Sequence, residues 1–161
     1  MNTDKIKLYL DTNVISCLDA PETPERMIYT QRFWESVKNE KFDIYISRET
    51  IDEIHKCPEP KHTFMLIALA GIKFTLCEEY PKAAELAAQY IEAGGLPPRS
   101  KVDAIHLANA TLAKCDIIVS WNFQHIINIR TMKAVEIVNA KLGFTNLELY
   151  SPESLIEFKE D

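Results

Sequence analysis

The chain has 161 residues, a formal net charge of −6 and 47% hydrophobic residues, enough for one domain spanning residues 1–161 with a substantial core. That acidic balance excludes a generic polyanion binder, so any nucleic-acid contact has to be local or metal-mediated. No stretch approaches the length of a membrane span, the N-terminus lacks a signal-peptide pattern, and Cys17, Cys57, Cys77 and Cys115 are scattered without a C-x-x-C pair. These features read as thiols in a reducing, cytoplasmic setting and argue against a cysteine–histidine zinc site.

Taken in order, strand and helix signals alternate. Ile6–Leu10 alternates in apolar character and predicts the first strand. Asn13 can cap a short helix carrying Val14, Ile15 and Leu18. The Pro- and acid-rich "DAPETPER" predicts a loop, followed by a helix to about Val37 with Phe33, Trp34 and Val37 on one stripe. Ile44–Ile46 predicts the second strand. Ser47 then reads as the N-cap of a helix that Pro58 stops. "HTFMLIALAG" is apolar nearly all round and predicts a buried helix; Ile72–Leu76 predicts the third strand. "PKAAELAAQYIEAGG" is a helix with a Gly-Gly stop. Ser100 opens a helix to about Lys114, and Asp116–Ser120 predicts the fourth strand. Residues 132, 135, 138 and 142 are apolar at helical spacing, so Thr131–Leu142 predicts a helix ended by Gly143. Leu147–Tyr150 predicts the fifth strand, and Ser151-Pro152 starts a last helix. The alternation predicts an α/β domain with a mainly parallel sheet.

Ligands of open parallel sheets sit beyond the carboxyl ends of the strands. Asp11 lies at such an end, Asn122 follows another, and Glu53 and Asp103 lie within two turns of helix starts that open towards that edge. Three converging carboxylates without matching cations call for a divalent metal, which points to phosphoester chemistry. Each residue also has a plain structural role open to it. Ser100-x-x-Asp103 fits a capping box, Asp11 fits a turn cap, and Glu53 fits a solvated helix position with Asp52 and Glu49 beside it. Their shared position on one rim favours the joint reading. His106, three residues after Asp103, either orients a carboxylate or packs in the core. His125 stands where a phosphate would approach. Arg99 and Lys101, at the start of the Asp103 helix, are the cations placed to meet RNA phosphates. Asp116 precedes its strand and belongs to the opposite edge.

With "LYLDTNVIS", "ISRETIDEI", "DAIHLANA" and "IIVSWNFQHI" in this order, about 120 residues of the chain resemble the PIN domains, which include the VapC ribonuclease toxins of toxin–antitoxin pairs. The resemblance implies a three-layer α/β/α sandwich around a five-stranded, mainly parallel sheet. It also implies an endoribonuclease using Mg²⁺ or Mn²⁺, with Asp11, Glu53 and Asp103 as metal-binding acids. Thr12, Asn13, Ser120 and His106 would hold those acids in place. The fourth acidic position falls on Asn122, where many relatives carry Asp; a neutral oxygen holds a second ion more weakly. An antitoxin would be the natural partner, and the apolar helices early in the chain offer a surface for a homodimer. Two other functions fit the same residues: a PIN-like module that binds RNA or protein without cutting, and a phosphatase-type hydrolase with Asp11 as nucleophile. The phosphatase reading lacks its usual second acid, because Asn13 stands two residues on.

Overall fold

The computed structural model describes residues 4–156. Five strands, β1 (Lys7–Leu10), β2 (Asp43–Ile46), β3 (Thr75–Leu76), β4 (Ile117–Val119) and β5 (Glu148–Tyr150), form one sheet of order β3-β2-β1-β4-β5. Every pairing is parallel. Seven α-helices cover it: α1 (Thr12–Ser16), α2 (Pro24–Lys38), α3 (Arg48–Lys56), α4 (Lys61–Ala70), α5 (Ala83–Glu92), α6 (Lys101–Leu112) and α7 (Ile129–Leu142).

Strand alternation sorts the core into two halves. Leu8, Leu10, Ile44, Ile46, Ile117 and Val119 point to one face, where they meet Val14, Ile15, Phe33, Trp34, Ile54 and Met65 of α1–α4. Tyr9, Ile118 and Leu149 point to the other, against Leu86, Tyr90, Leu107 and Val135 of α5–α7. A sheet buried on both faces needs apolar residues at successive positions, as Leu8-Tyr9-Leu10 and Ile117-Ile118-Val119 supply. The expected three-layer α/β/α arrangement is therefore present. β1 lies at the centre, and the chain returns across it between β3 and β4. The gap between the carboxyl ends of β1 and β4 is thus the topological switch point.

Several expectations need correction. Pro24, Glu25 and Arg26 belong to α2 rather than to a loop: proline is at home in a first helical turn, whose leading N–H groups have no partner anyway. Asp11, not Asn13, caps α1, by accepting from the Thr12 N–H. β3 is confined to its last two residues, at the sheet edge. Helix α4 is not buried all round. Met65 and Leu69 face the core, while Ile67 is 67% exposed because α4 lies in the outer layer against α1 and α3. Ser151-Pro152 opens only a 3-10 turn, Pro152–Leu155; the rest of the predicted last helix lies outside the described residues.

Helices α5 and α7 meet at a glycine. A Cβ at Gly95 would come within 2.7 Å of the Ala134 Cβ and 3.1 Å of the Tyr90 carbonyl oxygen. The Gly95 carbonyl also accepts from Thr131 Oγ1 at 2.8 Å, so the backbone cannot retreat freely. Gly95→Ala is expected to cost about 1–3 kcal/mol by overpacking. Gly71→Ala, whose nearest neighbour would be 3.5 Å away, should be close to neutral. Urea denaturation of the two variants checks the contrast.

Candidate metal site at the carboxyl edge

Asp11 follows β1 directly, and its N–H donates to the Val119 carbonyl at 3.0 Å, which ties it to the end of β4. The side chain is 4% exposed and held on both oxygens. Oδ1 accepts from the Thr12 N–H at 2.7 Å; Oδ2 accepts from Ser120 Oγ at 2.8 Å and Asn13 Nδ2 at 3.0 Å. Asn13 in turn accepts from the Trp121 N–H at 2.9 Å. The "DTN" run and the "SW" pair therefore interlock across the switch point, with Thr12, Asn13 and Ser120 all bonded to the Asp11 carboxylate.

Glu53 comes from α3, whose N-cap Ser47 accepts from the Thr50 N–H. Its Oε1 accepts from Thr12 Oγ1 at 2.9 Å and from His106 Nε2 at 2.6 Å. Asp52 and Glu49 do not take its place: Glu49 accepts from Asn109 Nδ2 at 2.9 Å. His106 is 1% exposed, and its Nδ1 lies 2.6 Å from the Tyr9 hydroxyl, which is 2.5 Å from Ser47 Oγ. The imidazole thus packs in the core and orients a carboxylate at once. Ligand atoms of Asp11, Glu53 and His106 all lie within 4.8 Å of one another.

Asp103 borders this group without joining its tightest part. It stands in the first turn of α6 and feels the charges of Asp11, His106, His125 and Glu53. Ser100 makes no side-chain cap bond, so the capping-box role is not realised. Asn122 is half-buried and its Oδ1 accepts from the His125 N–H at 2.8 Å, which engages that oxygen in the loop after β4. Arg99 and Lys101 are exposed at the entrance to α6. Asp116 binds the Lys7 N–H at the amino edge, away from the site.

The electrostatics of the site couple its carboxylates to His106, whose Nε2 is 2.6 Å from a Glu53 oxygen and 3.7 Å from an Asp11 oxygen. Burial is the largest influence on His106 and opposes its charge. The hydrogen bond to Glu53 and the charges of Asp11, Glu53 and Asp103 outweigh it, so the pKa is raised above 6.5. Burial likewise works to raise Glu53, yet the His106 bond and charge, the Thr12 bond and Lys56 carry it below 4.5. Asp103 goes the other way: burial first, then the Asp11 charge, raise it above 3.8. Three acids face one imidazole, so the edge keeps an excess of negative charge. Its donors are carboxylate oxygens, suited to a hard divalent ion. With Nε2 bonded to Glu53 and Nδ1 to Tyr9, His106 serves as the orienting partner that such ligands carry. The residues fit a hard divalent ion.

Tyr9 and Ser47 are the site residues that sequence reading missed. Their signals, a polar tip at the middle of an apolar strand and a helix N-cap, carry no mark of the histidine that joins them.

The pKa shifts fix a pH dependence for the metal-free protein. A raised His106 pKa adds stability fully present below pH 6.5 and lost as pH rises through the folded value. The lowered Glu53 pKa adds stability present above 4.5 and lost as pH falls through its folded value; Asp103, raised, acts in the opposite sense. In EDTA the urea midpoint should therefore decline on the alkaline side of pH 6.5, and His106→Gln should flatten that decline. An unchanged slope in the variant would contradict a raised His106 pKa.

No protein-family model and no curated protein matches the sequence. Among solved structures, the chain is similar to one in the crystal structure of VapBC2 from Rickettsia felis bound to a DNA fragment from their promoter. The TM-score is 0.55 at 15% identity, over 91% of this chain and 98% of that one. At that identity the likeness concerns architecture, and it agrees with the parallel five-stranded sheet and its helical layers. The chain has a PIN-like α/β/α fold.

Proposed function

We propose that the protein is a divalent-metal-dependent endoribonuclease that hydrolyses RNA phosphodiester bonds. The observation that supports this reading is the meeting of Asp11, Glu53 and the buried His106 at the switch point, with Asp103 close enough to feel their charges. Asp11, Asp103 and Glu53 would hold Mg²⁺ or Mn²⁺. Such an ion supplies a bound water of lowered pKa and offsets charge on the phosphate oxygens. The chain's own contribution is rigidity. Asn13 and Ser120 fix one oxygen of Asp11, and the Thr12 N–H fixes the other. Thr12 and His106 together fix Glu53. Arg99, Lys101 and His125 are assigned to the RNA backbone, where the net charge of −6 makes local cations necessary.

Asp11 as a covalent nucleophile fits poorly, because both its oxygens accept hydrogen bonds from fixed donors. A binding module without cleavage has one observation in its favour. Asn122 brings a neutral oxygen to the fourth position and spends it on the His125 N–H. Asn122→Asp keeps an acceptor for that N–H and adds charge, so it should lower the Mn²⁺ concentration needed for cleavage. We assign an antitoxin polypeptide as partner by analogy with the VapBC2 assembly, and a cytoplasmic setting from the four free cysteines. No helix among the described residues is long and apolar enough to cross a membrane. The exposed side of α4, with Leu66 and Ile67, is the surface offered for a homodimer.

Incubation of mixed RNA with Mn²⁺ tests the activity. Wild type and Asp116→Asn should cleave, and Asp11→Asn should not. Melting should show stabilisation of about 2.7 kcal/mol at a hundredfold excess of metal over its dissociation constant, absent in Asp11→Asn. Cleavage that survives Asp11→Asn would overturn the reading.

A further inference from the structure

Arg26, exposed near the start of α2, lies beside the loop after β4. Its guanidinium carbon is 5.4 Å from the ring centroid of Trp121 and 5.4 Å from that of Phe123. The two ring centroids are 6.1 Å apart and the planes are inclined by 60°, so the cation sits in the mouth of an aromatic wedge. Trp121 is the fixed wall: it is 5% exposed, and its Nε1–H donates to Thr30 Oγ1 at 2.8 Å. Phe123 is the open wall, 43% exposed. Among the described residues Arg26 is in no ion pair within 4.0 Å.

The wedge is joined to the carboxylates by short links. The Trp121 N–H donates to Asn13 Oδ1, and Asn13 Nδ2 donates to Asp11 Oδ2. Ser120, one residue before Trp121, donates to the same oxygen. A half-exposed ring and a guanidinium with no ion pair among the described residues thus stand at the lip of an acidic edge in an acidic protein. A guanidinium stacked on rings keeps its outer face and in-plane N–H groups available. A flat π-system with an adjoining anion matches that pair, and a nucleotide is such a ligand.

We propose that Arg26 and Phe123 form a stacking subsite for a nucleotide of single-stranded RNA flanking the cleaved bond. This rests on the nuclease reading of the adjoining edge. The base lies on the Phe123 ring and the guanidinium face, and the neighbouring phosphate meets the Arg26 N–H groups. Trp121 holds the platform in register with Asp11.

Fluorescence anisotropy of labelled single-stranded oligoadenylate with the whole chain in EDTA tests this without cleavage. Phe123→Ala and Arg26→Ala should each weaken binding about tenfold, the order expected for loss of one stacked base. Phe123→Trp should retain binding, Arg26→Lys should recover only part of it, and Lys38→Ala, in the last turn of α2, should change nothing. Arg26 is exposed, so its variants remain informative should Phe123→Ala fold poorly. Wild-type affinity in both alanine variants, or no binding by the wild type, overturns the subsite. So does unchanged RNA affinity with altered self-association, which would make the patch a protein contact. The nuclease reading is judged apart, by Mn²⁺-dependent cleavage in the wild type. Cleavage with insensitive binding removes only the subsite, and sensitive binding without cleavage removes only the nuclease.

Discussion

His106 is enclosed in the protein with a Glu53 oxygen 2.6 Å from one ring nitrogen and the Tyr9 hydroxyl 2.6 Å from the other. This arrangement joins three layers of the molecule: Tyr9 is on the central strand, Glu53 on α3 and His106 on α6. The hydrogen bonds hold in either protonation state. An imidazolium donates to both neighbours while Tyr9 donates onward to Ser47; a neutral ring accepts from Tyr9 and donates to Glu53. No buried side-chain nitrogen or oxygen among the described residues lacks a partner. The carboxylates of the site are therefore held by a network that stays satisfied while its charge changes.

The same arrangement accounts for how an acidic edge survives folding without a metal. Burying several carboxylates together is costly, and ordinarily one must take up a proton. Here the work is divided. The bond between His106 and Glu53 raises the pKa of the imidazole and lowers that of the carboxyl, and Asp103, at the margin, has its pKa raised. A divalent ion arriving at this edge would meet oxygens already aimed and only partly neutralised. The fold makes this possible through β1, whose end abuts β4 across the switch point, so that Asp11 and Ser120 arrive from segments 109 residues apart.

Much of this was legible in the residues themselves. Short apolar runs located four strands closely, and the rule that ligands gather at carboxyl ends set Asp11 and Asp116 on opposite edges. Other features were hidden for physical reasons. A helix apolar on every side, such as α4, does not say which side the fold will cover. An edge strand such as β3 has one neighbour and keeps only the residues that pair with it. The raised pKa of His106 depends on Glu53 and Asp11, distant in sequence, and no local pattern encodes that encounter. The contact of Arg26 with Trp121 and Phe123 is hidden for the same reason.

The central claim is that the carboxyl edge is a divalent-cation site. A crystal soaked in Mn²⁺ and measured for anomalous scattering tests it most directly. The account predicts a peak bound by carboxylate oxygens of Asp11 and Asp103, with Glu53 alongside or reaching it through water and His106 still bonded to Glu53. Anomalous density confined to other parts of the surface, with this edge empty at millimolar metal, would contradict it.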